Sequence, residues 1–179
     1  MRYYLAVLSF VIMLSMGSLV HADTRVYFSP NGGCQQAVVS QIAKAHARID
    51  IAMYSFTSRA LSQALVDAKA RGVKIDIVLD KNQMKEHYSK SAFLQSRGIE
   101  VKFHLGPGLM HDKFAVIDER LVLTGSFNWT ASAEKKNSEN LLVIKDKDIA
   151  EKYQKQFRLL WSQSGEAEIN KQGQLVGKE

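Results

Sequence analysis

The sequence predicts an α/β fold: a mixed, largely parallel β-sheet sandwiched between helices, built as one compact domain. Three observations carry this expectation. Apolar residues recur with a period of two in some runs and near 3.6 in others. In the first half these runs alternate strand, helix, strand, helix, strand, the pattern of parallel strands joined by helical crossovers. The chain has 179 residues, 46% hydrophobic and 23% charged, enough for one core of ordinary size.

Residues 1–22 stand apart. Arg2 supplies one positive charge, an apolar run extends from Leu5 to Val20, and Val20-His21-Ala22 ends on a small residue before Asp23. This is the layout of a secretory signal cleaved after Ala22. The alternative is an uncleaved membrane anchor, although the run is shorter than the roughly 20 residues of a spanning helix. Export to a bacterial periplasm is expected, with secretion or membrane anchoring as alternatives. The folded domain is expected over 23–165, and the polar tail 166–179 is expected to be disordered.

The elements follow in order. Arg25-Val26-Tyr27-Phe28 reads as a short strand, and Ala37, Val38, Gln41, Ile42 and Ala45 lie at helical spacing in a helix expected from Cys34 to Ala47. Ile49, Ile51 and Met53 alternate along a second strand. Ser58 offers a cap for a helix striped by Leu61, Ala64, Leu65 and Ala68 and stopped at Gly72. Val73, Ile75, Ile77 and Leu79 mark the third strand. A short helix from Ser91 ends at Gly98, and a strand over 99–104 leads into the loop Gly106-Pro107-Gly108. Two strands, 113–118 and 121–125, are joined by a tight turn at Glu119-Arg120. Asn140 to Ile144 forms one more strand, and Ile149, Tyr153, Phe157, Leu160 and Trp161 stripe a final helix.

Net charge is +6, and loss of Arg2 with the leader leaves 23 basic against 18 acidic residues. Such a surface attracts polyanions, whether nucleic acid or anionic lipid headgroups. Cys34 is the only cysteine, so no internal disulfide can form, and a small buried hydrophobe is its expected role.

The chemistry concentrates in His111 to Asn128. His111 and Lys113 stand two apart at the start of a strand and so point to one side. Ser126 and Asn128, also two apart, follow the next strand, and Glu139 precedes another. If those strands are neighbours, their polar ends converge at one edge of the sheet. A histidine beside a lysine, an amide and a hydroxyl suits a phosphodiester. The imidazole attacks phosphorus while Lys113 and Asn128 stabilise the non-bridging oxygens. A carboxylate such as Glu139 can hold the imidazole in the tautomer that leaves its other nitrogen free. The remaining histidines fit solvated surface (His46, His87), a strand end (His104) or the leader (His21). Asp76 and Asp80 alternate like a metal pair, but they and Asp50 fit better as polar groups of buried parallel strands. No metal is expected, because this constellation supplies its own nucleophile and cations.

His111, Lys113, Asp118, Gly125, Ser126 and Asn128 together fill the six fixed positions of the motif of the phospholipase D superfamily, which the sequence resembles. The resemblance runs from about Arg25 to Gln163 and is to the small bacterial endonuclease branch, with one motif per chain. It implies the phospholipase D-like fold and catalysis by two histidines, one a nucleophile that forms a phosphohistidine and the other a general acid. With one such histidine here, it further implies a homodimer whose active site straddles a two-fold axis. By the same resemblance Lys113 and Asn128 bind phosphate, Glu139 orients His111, Ser126 supports the network, and Asp118 is a structural partner within the catalytic motif. The implied function is a metal-independent, sequence-nonspecific endonuclease acting on DNA or RNA. The alternatives are a phospholipase D acting on phospholipid headgroups and, from another class, a nucleic-acid-binding module without catalysis.

Overall fold

The computed structural model describes residues 23–169 and 175–177. The leader expected over 1–22 lies outside them. Eight strands form one sheet in the order β1-β7-β6-β5-β2-β3-β4-β8. They are β1 (Asp23–Ser29), β2 (Arg48–Met53), β3 (Lys74–Asp80), β4 (Glu100–His104), β5 (Lys113–Ile117), β6 (Leu121–Gly125), β7 (Glu139–Lys145) and β8 (Ser164–Gly165). The helices are α1 (Cys34–Ala43), α2 (Arg59–Ala70), α3 (Ser91–Ser96), α4 (Ala131–Lys135) and α5 (Lys147–Ser162).

The mixed α/β sandwich is as expected, but the share of parallel pairing is smaller. Of the seven neighbouring pairs only β2-β3 and β3-β4 are parallel. The reason is where β1 goes. It pairs antiparallel with β7 at the sheet edge, and the antiparallel run β7-β6-β5 fills the space between β1 and β2. The first crossover therefore spans three strands instead of joining neighbours. Within the expected tail, β9 (Ala167–Ile169) pairs antiparallel with β10 (Leu175–Gly177).

Each face of the sheet has its own apolar layer. Ile49, Ile51, Ile75, Ile77, Ala115 and Leu123 pack beneath α1 and α2, with Val38, Ile42, Leu61 and Leu65 from those helices. On the other face Ala52, Val78, Phe114, Val116 and Val122 meet Ala150, Phe157 and Leu160 of α5. Burying each valine, leucine, isoleucine or phenylalanine among them is worth about 1.5–3 kcal/mol relative to exposure. Helix α5 lies across β2 to β6, so the same face of β1 stays open, with Val26 51% and Phe28 64% exposed.

Local chemistry sets the boundaries. Ser58 caps α2 by accepting from the Leu61 N–H, and Asp146 caps α5 by accepting from that of Ile149. Helix α1 ends at Ala43, not at Ala47. Lys44 closes it, and the chain turns so that the N–H groups of His46, Ala47 and Arg48 converge on the Asp118 carboxylate at 2.8–3.3 Å. The β5-β6 turn is centred on Asp118 and Glu119 instead of Glu119-Arg120, since these two carry positive φ, 50° and 55°. Aspartate tolerates that conformation through its short polar side chain.

Asp50 and Asp76 face each other across β2 and β3, and Arg48 bridges them. Gln154 of α5 donates to Asp50 at 2.6 Å. The hydrogen bond to Asp50, with the charges of both carboxylates, holds the Arg48 guanidinium even above its usual basicity. Asp80 accepts from the N–H groups of Asn82 and Met110, both at 2.9 Å. All three aspartates thus belong to the frame. Cys34 is fully buried, and burial, with the Glu134 charge, pushes its thiol above the ordinary range.

Candidate active site

The ends of β2 and β6 and the beginnings of β5 and β7 meet at one edge of the sheet, as the pairs Met53-Lys113, Phe114-Thr124 and Gly125-Leu141 show. There a single open cleft is lined by His111, Lys113, Gly125, Ser126, Asn128, Glu139 and Asn140. Five residues singled out from sequence therefore come together: His111, Lys113, Ser126, Asn128 and Glu139. Asp118, the sixth candidate, does not. It stands at the far end of β5, roughly 17 Å along the strand at about 3.4 Å per residue. Its carboxylate holds three backbone N–H groups and an ion pair with Arg120 at 3.7 Å. Those bonds place it outside the cleft, in the frame that joins the β5-β6 turn to the start of β2.

The Lys113 ammonium lies 3.1 Å from His111 Nδ1 and donates to the His111 carbonyl at 2.7 Å. Burial lowers the basicity of Lys113, against the opposing pull of the Glu139 and Asp112 carboxylates. While Lys113 is charged it can only donate, so Nδ1 accepts and the proton of a neutral imidazole sits on Nε2. That tautomer presents an N–H to the cleft instead of a lone pair. It becomes a nucleophile at Nε2 only when Lys113 turns to a phosphate and Nδ1 takes up a proton held by a carboxylate. Glu139 has the right chemistry for that task and lies in the cleft. Within one chain, however, its Oε1 accepts from the Asn137 amide at 3.2 Å, and no hydrogen bond joins it to His111.

The tyrosine and asparagine that complete the cleft carried no motif. Tyr54, just past β2, packs its ring at a tilt 4.4 Å from that of His111 and receives the Lys113 ammonium over its face at 5.1 Å. It fixes both groups through one surface. Its signal in the sequence was the break from the apolar alternation of β2 into Tyr54-Ser55. Asn140 donates its N–H to Ser126 Oγ at 3.0 Å, and its side-chain oxygen accepts from the Ser126 N–H at 3.3 Å. Ser126 is thereby locked to β7. Gly125 is required beside it: φ is 142°, and a Cβ there would lie 2.3 Å from the Asn140 carbonyl oxygen. No side chain fits between the strands at that point.

The loop that carries Asn128 is anchored by the core. Trp129 accepts from the N–H groups of Thr57 and Ser58, both at 2.9 Å, and donates to the Ser55 carbonyl at 3.1 Å. Its buried ring meets Phe56 edge-on at 5.1 Å. The segments after β2 and β6 are thus tied to each other. The side-chain oxygen of Asn128 is buried without a hydrogen-bond partner; it can only accept, so any bond from Asn128 to a phosphate oxygen comes from its Nδ2 amide. Together these groups offer cations, donors and an imidazole to a tetrahedral anion. Among the described residues no group of three or more His, Cys, Asp or Glu is placed to hold a metal ion. Nor is any helix among them long and apolar enough to cross a membrane.

The chain has clear relatives. A family model described as the phospholipase D-like domain of cardiolipin synthase matches residues 38–161. The chain is 38% identical over 139 residues to a phospholipase D of Rickettsia conorii, across 78% of this chain and 70% of that protein. Against a mitochondrial cardiolipin hydrolase of Xenopus laevis it is 36% identical over 130 residues, 73% of this chain and 62% of the other. Among solved structures it is similar to Nuc from Salmonella typhimurium, a phospholipase D family member. The TM-score is 0.77 at 36% identity, across 80% of this chain and 96% of that one.

Proposed function

The chain belongs to the phospholipase D superfamily and is a phosphodiester hydrolase, and from that premise we propose that it is a metal-independent, sequence-nonspecific endonuclease. The observation that carries the chemistry is the meeting of His111, Lys113, Ser126, Asn128 and Glu139 in one open cleft. The positive balance of the chain favours a polyanionic strand as substrate.

In the proposed reaction one His111 imidazole attacks phosphorus. A P–N bond forms, the P–O bond to the leaving group breaks, and the leaving oxygen takes a proton from a second imidazole. That second group then removes a proton from water, whose oxygen attacks phosphorus and releases the first imidazole. Lys113 and Asn128 hold the non-bridging oxygens throughout, Ser126 keeps the strand ends in register, and Glu139 carries the proton-holding role toward an imidazole. Each chain brings one cleft histidine, so the reaction calls for two chains about a two-fold axis. The open apolar strip of Val26 and Phe28 supports this, because Phe28 pairs with cleft residue Asn140 and a second copy would bury the strip. Export after cleavage at Ala22, to a periplasm, completes the reading.

A second reading, a phospholipase D acting on lipid headgroups, is favoured by the names of the Rickettsia conorii and Xenopus laevis relatives. Both are tested by giving mature protein single-stranded DNA, plasmid DNA and phospholipid vesicles in parallel, at low salt with excess chelator, beside the His111→Asn variant. Wild-type-only DNA cleavage is expected. Headgroup release without cleavage overturns the nuclease, and complete loss of activity in chelator overturns metal independence.

A further inference from the structure

Beyond the catalytic cleft, its surface continues. A second open hollow of about 600 Å³ shares Asn128 with the cleft and runs past Tyr54, Thr130 and Tyr88 to Arg59 and Lys90. A third, of about 250 Å³, shares Arg59 and Lys90 with the second and reaches Gln63 and Phe93. The three hollows are linked in turn by the residues they share, leading away from His111. Their linings bring together the cations Lys113, Arg59 and Lys90 and the aromatic rings of Tyr54, Tyr88 and Phe93.

We propose that this track, centred on Tyr88, Arg59 and Lys90, is a binding groove for single-stranded nucleic acid on one side of the scissile phosphate. The inference rests on the nuclease reading and adds where the strand lies and that its bases are unpaired. Tyr88 is 69% exposed, on a segment with His87 packed edge-on against it at 5.0 Å. A large ring so exposed beside a hollow offers a face to a planar base, and every base has a π-face, so the contact needs no particular sequence. A base within a duplex has both faces covered by its neighbours and cannot use it. Arg59 and Lys90 stand where successive phosphates would pass, and the hydroxyls of Thr57, Thr130 and Ser132 supply donors to phosphate oxygens. Glu86 is the one acidic group of the second hollow, and its carboxylate is directed to the N–H of Tyr88 at 3.5 Å. An acyl chain would need continuous aliphatic lining. Here hydroxyls and charges share the lining with the rings.

The test compares wild type, Tyr88→Ala and Lys90→Gln on three substrates: a short single-stranded oligonucleotide, phosphatidylglycerol vesicles, and the small diester bis(p-nitrophenyl) phosphate. The small diester reads the catalytic cleft alone. Tyr88→Ala is expected to raise the oligonucleotide KM about 10-fold through the loss of one stacked base, with the small diester unchanged. Lys90→Gln is expected to lower the slope of log binding against log salt by about 0.7, the loss of one phosphate contact, measured in the His111→Asn background. A purely structural role would not move that slope. Oligonucleotide kinetics and salt slope equal to wild type in both variants overturn the groove while leaving the nuclease standing. Wild-type hydrolysis of the small diester without oligonucleotide cleavage overturns the nuclease reading and the groove with it. Vesicle hydrolysis that falls in Tyr88→Ala while oligonucleotide cleavage does not overturns the groove in favour of a lipid track.

Discussion

Replacing Asp118 with Ala separates the structural from the catalytic part of the motif. The carboxylate accepts the N–H groups of His46, Ala47 and Arg48, and none of these has another partner once it is gone. At about 1 kcal/mol for each bond in this partly exposed turn, the loss is about 3 kcal/mol. Alanine at φ 50° adds about 1 kcal/mol, since it lacks the local hydrogen bonding that eases Asp into the left-handed region. A domain of this size loses about 2–4 °C of Tm per kcal/mol, so the expected fall is about 10 °C at pH 7. The pH dependence has a defined sign. The three N–H groups, with Arg120, hold the folded carboxyl below its ordinary value of 3.8 although burial opposes them. The stabilisation is therefore present above 3.8 and lost as pH falls through the folded value, so the gap between wild type and Asp118→Ala should close in acid. The assay is thermal unfolding across pH with turnover measured well below both transitions. A wild-type Tm with turnover abolished would refute this reasoning and return Asp118 to the chemistry.

His111→Asn is expected to abolish turnover with Tm and oligomeric state unchanged. Mixed with wild type it should also lower specific activity per wild-type chain, and undiminished activity on mixing would contradict a shared site. Lys113 serves phosphate only when protonated, and burial lowers its pKa from 10.5, so kcat/KM should fall on the alkaline side below that value. Lys113→Arg should move that limb upward. Gly125→Ala, which drives a Cβ into Asn140 at a φ no L-residue favours, should cost about 2–4 kcal/mol of stability in a urea titration.

Most of the site was legible because its residues sit two apart at strand ends, where the period of a strand brings them to one side. His111 with Lys113 and Ser126 with Asn128 need only local geometry to be paired, and the neighbouring strands β5, β6 and β7 then bring the pairs together. Tyr54 and Asn140 were not legible in the same way. Each acts through a residue far along the chain, Tyr54 against His111 and Asn140 against Ser126, and neither type is distinctive alone. The proportion of parallel pairing failed for a related reason. Periodicity identifies β1 as a strand but says nothing of its neighbour, and its partner β7 lies more than a hundred residues on. The end of α1 depended on a carboxylate some seventy residues away.

The clasp between Phe56 and Trp129 has a further meaning for how the enzyme can be watched. Trp129 is one of two tryptophans and is buried between the two segments that frame the cleft. Its emission should report on the integrity of that frame, and the amide protons of Thr57, Ser58 and Trp129 should exchange with solvent as slowly as those of the central strands. A frame so tied to the core leaves little room for a closing lid. Motion during turnover then falls to the Lys113 ammonium and the substrate, and the rate should track the proton traffic at His111 more closely than any rearrangement of the backbone.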